Sequence, residues 1–310
     1  MTKGSARSVH LTPQALTLLL AVFLIHSVWR QSGSRLAIVA AVGVIVALVT
    51  NLVWAALATR HLMVDVVDCP HDVTAGSPVT CELRVTGNRA PVELRMLSAP
   101  NARWHRVDGP DTGSLTVLAP ARGVATAAVF QAICTAPLGL LGMSRKFVVG
   151  LPHPLHIGPH PEAVTGARLP DRGRSTDDDD ALVRGTRPYV AGDPLRSVHW
   201  PSTARTGVLT VREYEPPPRP VLLLVVDLGE GGPEGEAAAS RAAWVGAEAL
   251  RRGYAVVLAT AEGDGPVTAP VRAQLDVSRR LAAASPGRPA PPLESQAASI
   301  SITTDGDVWP

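Results

Sequence analysis

Two uncharged apolar runs inside the first sixty residues constrain this chain more than any other feature. Leu11 to Trp29 reads LTPQALTLLLAVFLIHSVW, and Leu36 to Ala58 reads LAIVAAVGVIVALVTNLVWAALA. A bilayer core of about 30 Å takes about 20 apolar helical residues, so both runs can span, the first only just. The RQSGSR between them is polar and carries Gly33, which suits a turn between two helices. Trp29 and Trp54 fall near segment ends, where amphipathic rings favour the membrane interface. Lys3 and Arg7 also suit the basic start of a signal peptide. Against that reading, no small-x-small cleavage site follows and a second span comes at once. Residues 1–62 are therefore expected to form a transmembrane hairpin, with helices over about residues 11–29 and 36–58. Lys3, Arg7 and Arg60 flank the outer ends while Arg30 and Arg35 occupy the loop. That balance favours the cytoplasm for both ends and for the soluble part.

Composition bounds what the rest can be. With 310 residues, the chain has room for two modest folded units plus accessories. An apolar share of 46%, a mean hydropathy of +0.15 and only 18% charged residues exclude a chain disordered throughout. A net charge of +2 and 4% aromatics give neither the field nor the stacking platforms of a nucleic-acid binder. Lysine occurs only at Lys3 and Lys146, an arginine bias that resembles GC-rich bacterial coding. Cys69, Cys81 and Cys134 show no metal-type spacing, and their odd count does not suit a disulfide framework. Cys69 and Cys81 could meet across a hairpin in an oxidising space; otherwise all three read as small buried apolar residues.

From Met63 to Val149 the pattern turns to short alternating runs: MVDVVDC, VTCELRVTG, APVELRML, SLTVLAP, VATAAVFQAIC and SRKFVVG. With turn signals between them, these predict a small antiparallel β-sandwich over residues 63–150. Trp104 and His105 read as core and surface, since no third ligand is near. Residues 151–183 are expected to be a linker, because Pro152, Pro154, Pro159, Pro161 and Pro170 break regular structure. Asp177 to Asp180 read as a solvated loop without calcium-loop spacing. Beyond PPPRP, the run VLLLVVDL predicts a buried parallel strand ending at Asp227. A helix over about residues 236–252, with Trp244 and Leu250 on its apolar side, comes next. YAVVLAT, a helix over about residues 273–284 and SISIT complete a short α/β unit within residues 184–310. The fold class expected is a membrane-anchored α+β protein.

The densest stretch is RGTRPYVAGDPLRSVHWPSTARTGVLTVREYE, Arg184 to Glu215. Gly192-Asp193-Pro194 is a turn whose carboxylate can take backbone amides or pair with Arg196 or Arg205. Trp200 is a large apolar anchor, and Gly207 permits a turn before an alternating strand. The order Gly192, Asp193, Arg196, His199, Trp200, Ala204, Arg205, Gly207, Leu209, Arg212 and Glu213 resembles the DUF 58 family, proteins built around a domain of unknown function. APLGLLGMSRKF, Ala136 to Phe147, is similar to that family's Pro-x-Gly-Leu segment. The resemblance implies two membrane helices, a β-rich segment and an abbreviated α/β domain like von Willebrand factor A. It also implies a role in assembling other proteins beside a MoxR-type AAA+ ATPase.

Metal-binding von Willebrand A domains present Asp-x-Ser-x-Ser, whereas this chain has Asp227-Leu228-Gly229-Glu230-Gly231. The hydroxyl ligands are missing, so no metal and no cofactor is expected. Asp193, His199 and Ser197 or Ser202 could be imagined as a hydrolytic triad. They lie too close together in sequence and lack a nucleophile elbow, so no catalytic residue is expected. The expected function is a non-enzymatic, membrane-anchored interaction protein that meets lipid, an ATPase and clients. An extracytoplasmic ligand-binding or adhesion module and an uncharacterised hydrolase are the alternatives.

Overall fold

The computed structural model describes residues 3–32, 35–164, 169, 183–214, 219–289 and 298–308. It divides into two compact units. The first comprises Met1–His160 with Ser278–Ala284, and the second Pro161–Val277 with Ser285–Pro310. The apolar hairpin and the β-rich segment thus belong to one unit. The aspartate run at Asp177 to Asp180 and the proline Pro170 lie outside the described residues.

The first unit opens with strand β1 (Lys3–Leu11), which sequence patterning does not reveal, and continues into helices α1 (Pro13–Ser32) and α2 (Arg35–Ala58). Both helices are apolar around most of their circumference and mostly exposed; Leu36 is 80% and Phe23 66% accessible. By length and composition both are apolar enough to cross a membrane, and their exposed apolar surface is compatible with a membrane anchor. Among the described residues of the two helices, the buried ones are Ala15 near the start of α1 and Leu48, Asn51, Ala55 and Ala58 in the last turns of α2.

Eight strands follow: β2 (Met63–Asp68), β3 (Asp72–Thr74), β4 (Pro78–Thr86), β5 (Val92–Met96), β6 (His105–Val107), β7 (Asp111–Leu118), β8 (Gly123–Cys134) and β9 (Leu141–Gly158). They form one sheet in the order β1-β9-β8-β5-β6, with β3 beside β9, and a second in the order β2-β4-β7. Alternation in β4 is strict: Val79, Cys81, Leu83 and Val85 are buried while Thr80, Glu82 and Arg84 point outward. Those inward residues share one core with Leu94, Phe130, Phe147 and Ile157 of the other sheet.

The linker expected from residue 151 is corrected here, because β9 runs through Pro152 and Pro154 to Gly158. Its ladder with β8 skips from Ala127↔Gly150 to Ala125↔Leu155. The prolines fall in that bulge, where no ladder donor is needed. Asp72 on β3 takes Arg279 through two 2.6 Å bonds, and that contact holds its carboxyl below the usual range. All three cysteines are free and buried, and burial pushes the Cys81 thiol up to about 11. The core position expected for Trp104 is corrected: its ring is exposed with the Arg95 guanidinium over it, because it lies just outside β6, and His105 is exposed on β6 as expected.

The second unit holds the two-stranded ribbon β10 (Val183–Pro188) and β11 (Thr210–Tyr214), with α3 (Trp200–Thr206) between them. It also holds β12 (Val221–Val226), α4 (Gly232–Arg251), β13 (Ala255–Glu262), β14 (Gly265–Val271), most of the first turn of α5 (Gln274–Ala283), β15 (Ala298–Ile302) and β16 (Asp307–Val308). The sheet order is β14-β13-β12-β15-β16, with β12 parallel to both neighbours. Central placement explains the uninterrupted LLLVV run, since both faces of β12 are covered. Along α4 the buried face is made of Ala238, Ala239, Ala242, Val245 and Ala249, whereas Trp244 and Leu250 are only half-buried. Gly246 lets α4 approach closely, because a Cβ there would stand 3.0 Å from Val277.

Candidate functional site

The ribbon β10–β11 and the loop it closes carry every motif residue from Gly192 to Glu213. Arg187 faces Val211, Thr186 faces Arg212 and Gly185 faces Glu213 across the ladder. After Pro188 the chain turns at Gly192, whose φ of +113° is a conformation glycine adopts without strain. Asp193 fixes that turn. Its carboxylate takes both terminal nitrogens of Arg187, at 2.7 and 2.8 Å, and accepts the Val190 amide at 2.9 Å. Of the partners expected for Asp193, the backbone amide is present and the arginine is corrected. A guanidinium six residues earlier meets it in a two-bond fork, not Arg196 or Arg205.

Beyond Pro194, a 3-10 turn (Leu195–Ser197) leads to Val198, which bridges to Val211 and is buried. His199 then precedes α3, and its Nδ1 lies 2.7 Å from the Ser202 hydroxyl oxygen. Gly207 ends α3 with a φ of +69°, its amide donating to the Thr203 carbonyl. Thr203 completes the closure: its hydroxyl donates to the His199 carbonyl and accepts the Thr210 amide. The short helix is thus pinned at both ends, with few apolar contacts of its own.

The outward face is unusual for such a tied-down element. Val190, Leu195, Trp200 and Val208 are all exposed, and Trp200 is 65% accessible. Arg196, Arg205, Arg212, Ala204 and Glu213 are exposed too, while Leu209 is half-buried. Among the described residues, no carboxylate pairs with Arg196, Arg205 or Arg212. The module therefore shows solvent one large indole, several aliphatic side chains and three cations. Asp193 and His199 have separate partners, so they form no relay through Ser202.

At the end of β12, Asp227 accepts the Gly229 amide at 2.8 Å, and Arg288 lies 3.7 Å from its other oxygen. Its carboxylate serves its own turn. Among the described residues, no three His, Cys, Asp or Glu side chains gather in a metal-binding group.

The Asp193 fork has a pH consequence. The hydrogen bonds from Arg187, and then from the Val190 amide, hold its carboxyl below the ordinary range. A depressed carboxyl contributes stability that is present above its unfolded value of about 3.9 and is lost as pH falls through the folded value. Wild type should melt above Asp193→Asn at neutral pH, and the gap should close in acid below about pH 4. Melting both proteins across that range checks it. A gap that persists in strong acid would show that the charge is irrelevant.

No curated protein and no solved structure matches this chain. Residues 185–296 do match a family model, described as Protein of unknown function DUF58. That span contains Arg187 and every motif residue from Gly192 to Glu213, so the match supports the DUF58 family for the segment that builds this site.

Proposed function

We propose that this chain is a membrane-anchored, non-enzymatic assembly protein whose β10–β11 module captures a protein partner. The observation that carries the reading is Trp200, a largely exposed indole on a helix pinned by hydrogen bonds at both ends. Tryptophan and arginine are the residues most enriched at binding hot spots, and a rigid presentation lowers the ordering cost of docking. Arg196, Arg205 and Arg212 favour an acidic partner surface. A MoxR-type AAA+ ATPase is the partner the family resemblance suggests, with client proteins beyond it.

We read α1 and α2 as a bacterial membrane anchor, the first unit's paired sheets as a β-sandwich, and the second unit's sheet as an abbreviated von Willebrand A-like domain. Two crossings fit the pairing of β1 with β9, which puts residues on either side of the hairpin in one sheet. The arginine and lysine balance favours the cytoplasmic side for both units. Capture of the cognate ATPase by the full chain in detergent is the test. Arg196→Ala and Arg205→Ala should weaken capture and leave melting unchanged. Lower melting with undiminished capture by the folded fraction would defeat the docking role.

A further inference from the structure

The segment Thr135 to Met143 reads TAPLGLLGM, with no charge, and Leu138 in it is 54% exposed. Its backbone is tied to α2 by Asn51, a fully buried side chain near the end of the apolar run. Asn51 Nδ2 donates to the Leu141 carbonyl at 2.7 Å, and Oδ1 accepts the Leu138 and Leu140 amides at 3.0 and 3.5 Å. From α1's side, the Thr12 hydroxyl donates to the Leu140 carbonyl and accepts the Ala15 amide. Both helices therefore fix the height of this loop.

A second contact fixes the direction in which the chain leaves. Arg145 donates toward the carbonyls of Thr59, Arg60 and Leu62, each at 3.4 Å, just past the end of α2. Asn51 to Thr59 is about 12 Å of helix, and Leu141 to Arg145 is about 13 Å of strand. The two rises agree, so β9 climbs beside the last turns of α2 and Pro137–Leu141 stays level with Asn51. From Arg35 to Asn51, α2 rises only about 24 Å, short of a core of about 30 Å. A bilayer spanned by α2 thus reaches past Asn51, close to Trp54, whose half-exposed ring suits the interface. Leu138 lies on the lipid side of that level. Leu11 of β1, which faces Leu141 and is 65% exposed, lies at the same height.

We propose that Pro137–Leu141 is a membrane-seating loop, which inserts Leu138 into the interfacial layer of the bilayer beside α2 and so holds the β sheets down on the lipid surface. The proposal rests on the reading that α1 and α2 span a membrane. Its occupant is lipid, because the exposed leucines continue the exposed apolar surface of both helices with no charge before Arg145. The loop thereby gives the anchor a third point of contact and resists tilting of the first unit.

The test uses the full chain reconstituted in vesicles of phosphatidylethanolamine and phosphatidylglycerol. A thiol-reactive, polarity-sensitive fluorophore is placed by Leu138→Cys, by Val46→Cys in α2 and by Val190→Cys in the second unit. The native cysteines are buried, so unmodified protein supplies the labelling blank. At position 138, quenching by lipids with a nitroxide near the headgroup should be strong and quenching by aqueous iodide largely lost. Position 190 should show the reverse, and position 46 should respond best to a nitroxide deep in the acyl chains. If iodide quenches 138 as it does 190 while 46 answers to lipid, the seating loop is wrong and the anchor stands. If 46 also answers to iodide alone, the anchor reading falls and the loop proposal with it. Leu11→Cys gives the same reading from β1 should Leu138→Cys fail to fold, and iodide quenching there equally overturns the proposal.

Discussion

On the docking role proposed above, Trp200→Ala should weaken capture of the proposed ATPase partner by about 2 kcal/mol, roughly thirtyfold in affinity, and leave melting almost unmoved. The indole is 65% exposed, so truncation removes little that the fold itself buries. Surface changes of that kind usually stay within about 0.5 kcal/mol of wild-type stability. The α3 backbone should hold without it, because Thr203 and Gly207 close the helix independently of residue 200. Asp193→Ala makes the contrast. That change leaves Arg187 without its fork and the Val190 amide without its acceptor, so the turn loosens. Melting and capture should then fall together. Calorimetry and pull-down on both variants separate a contact residue from a positioning residue. A Trp200→Ala protein that melts lower yet binds as before would make the indole structural and remove the main support for docking.

The elements that could be read from sequence are those whose environment repeats along the chain. Strict alternation in Val79, Cys81, Leu83 and Val85 comes from a strand with one face on the core and one in water. The Leu222 to Val226 run reports a strand covered on both faces. Strand β1 has neither signature. Its KGSARSVHL is polar and irregular, and it is a strand because β9 offers it an open edge. Pro152 and Pro154 misled for a related reason, since a proline forbids a ladder bond but not a bulge. At the site, the turn residues Gly192, Asp193 and Gly207 announce themselves by their chemistry. Arg187 does not, because its role depends on a ribbon bringing residues 187 and 193 together. A bidentate-capable arginine shortly before a Gly-Asp turn was the one available signal. The exposure of Val190, Leu195 and Val208 has no sequence signal, since aliphatic residues in a motif read equally well as core.

Asn51→Leu should be among the most damaging single changes in the first unit, even though it makes α2 more apolar. By hydropathy alone, leucine improves a spanning helix, and a better anchor would be expected. The contacts point the other way. Asn51 satisfies the Leu138 and Leu140 amides, in a loop with no sheet ladder to take them, and the carbonyl of Leu141 where β9 begins. Leucine would leave all three without a partner beside a fully buried position, at about 1–3 kcal/mol for each group. A loss of at least about 3 kcal/mol corresponds to a fall of about 6–12 °C for a unit of this size. Asn51→Asp should be no rescue. It can still accept the Leu138 and Leu140 amides, but it has no N–H for the Leu141 carbonyl and adds a charge at a depth where charges are costly. Val46→Ala, on the exposed face of the same helix, should change melting by little. Fluorimetric melting of the four proteins in one detergent reads the series. If Asn51→Leu melts with wild type, the loop finds its partners elsewhere, and the anchor is held to the β sheets by the Thr12, Arg145, Ala55 and Ala58 contacts rather than by this buried amide.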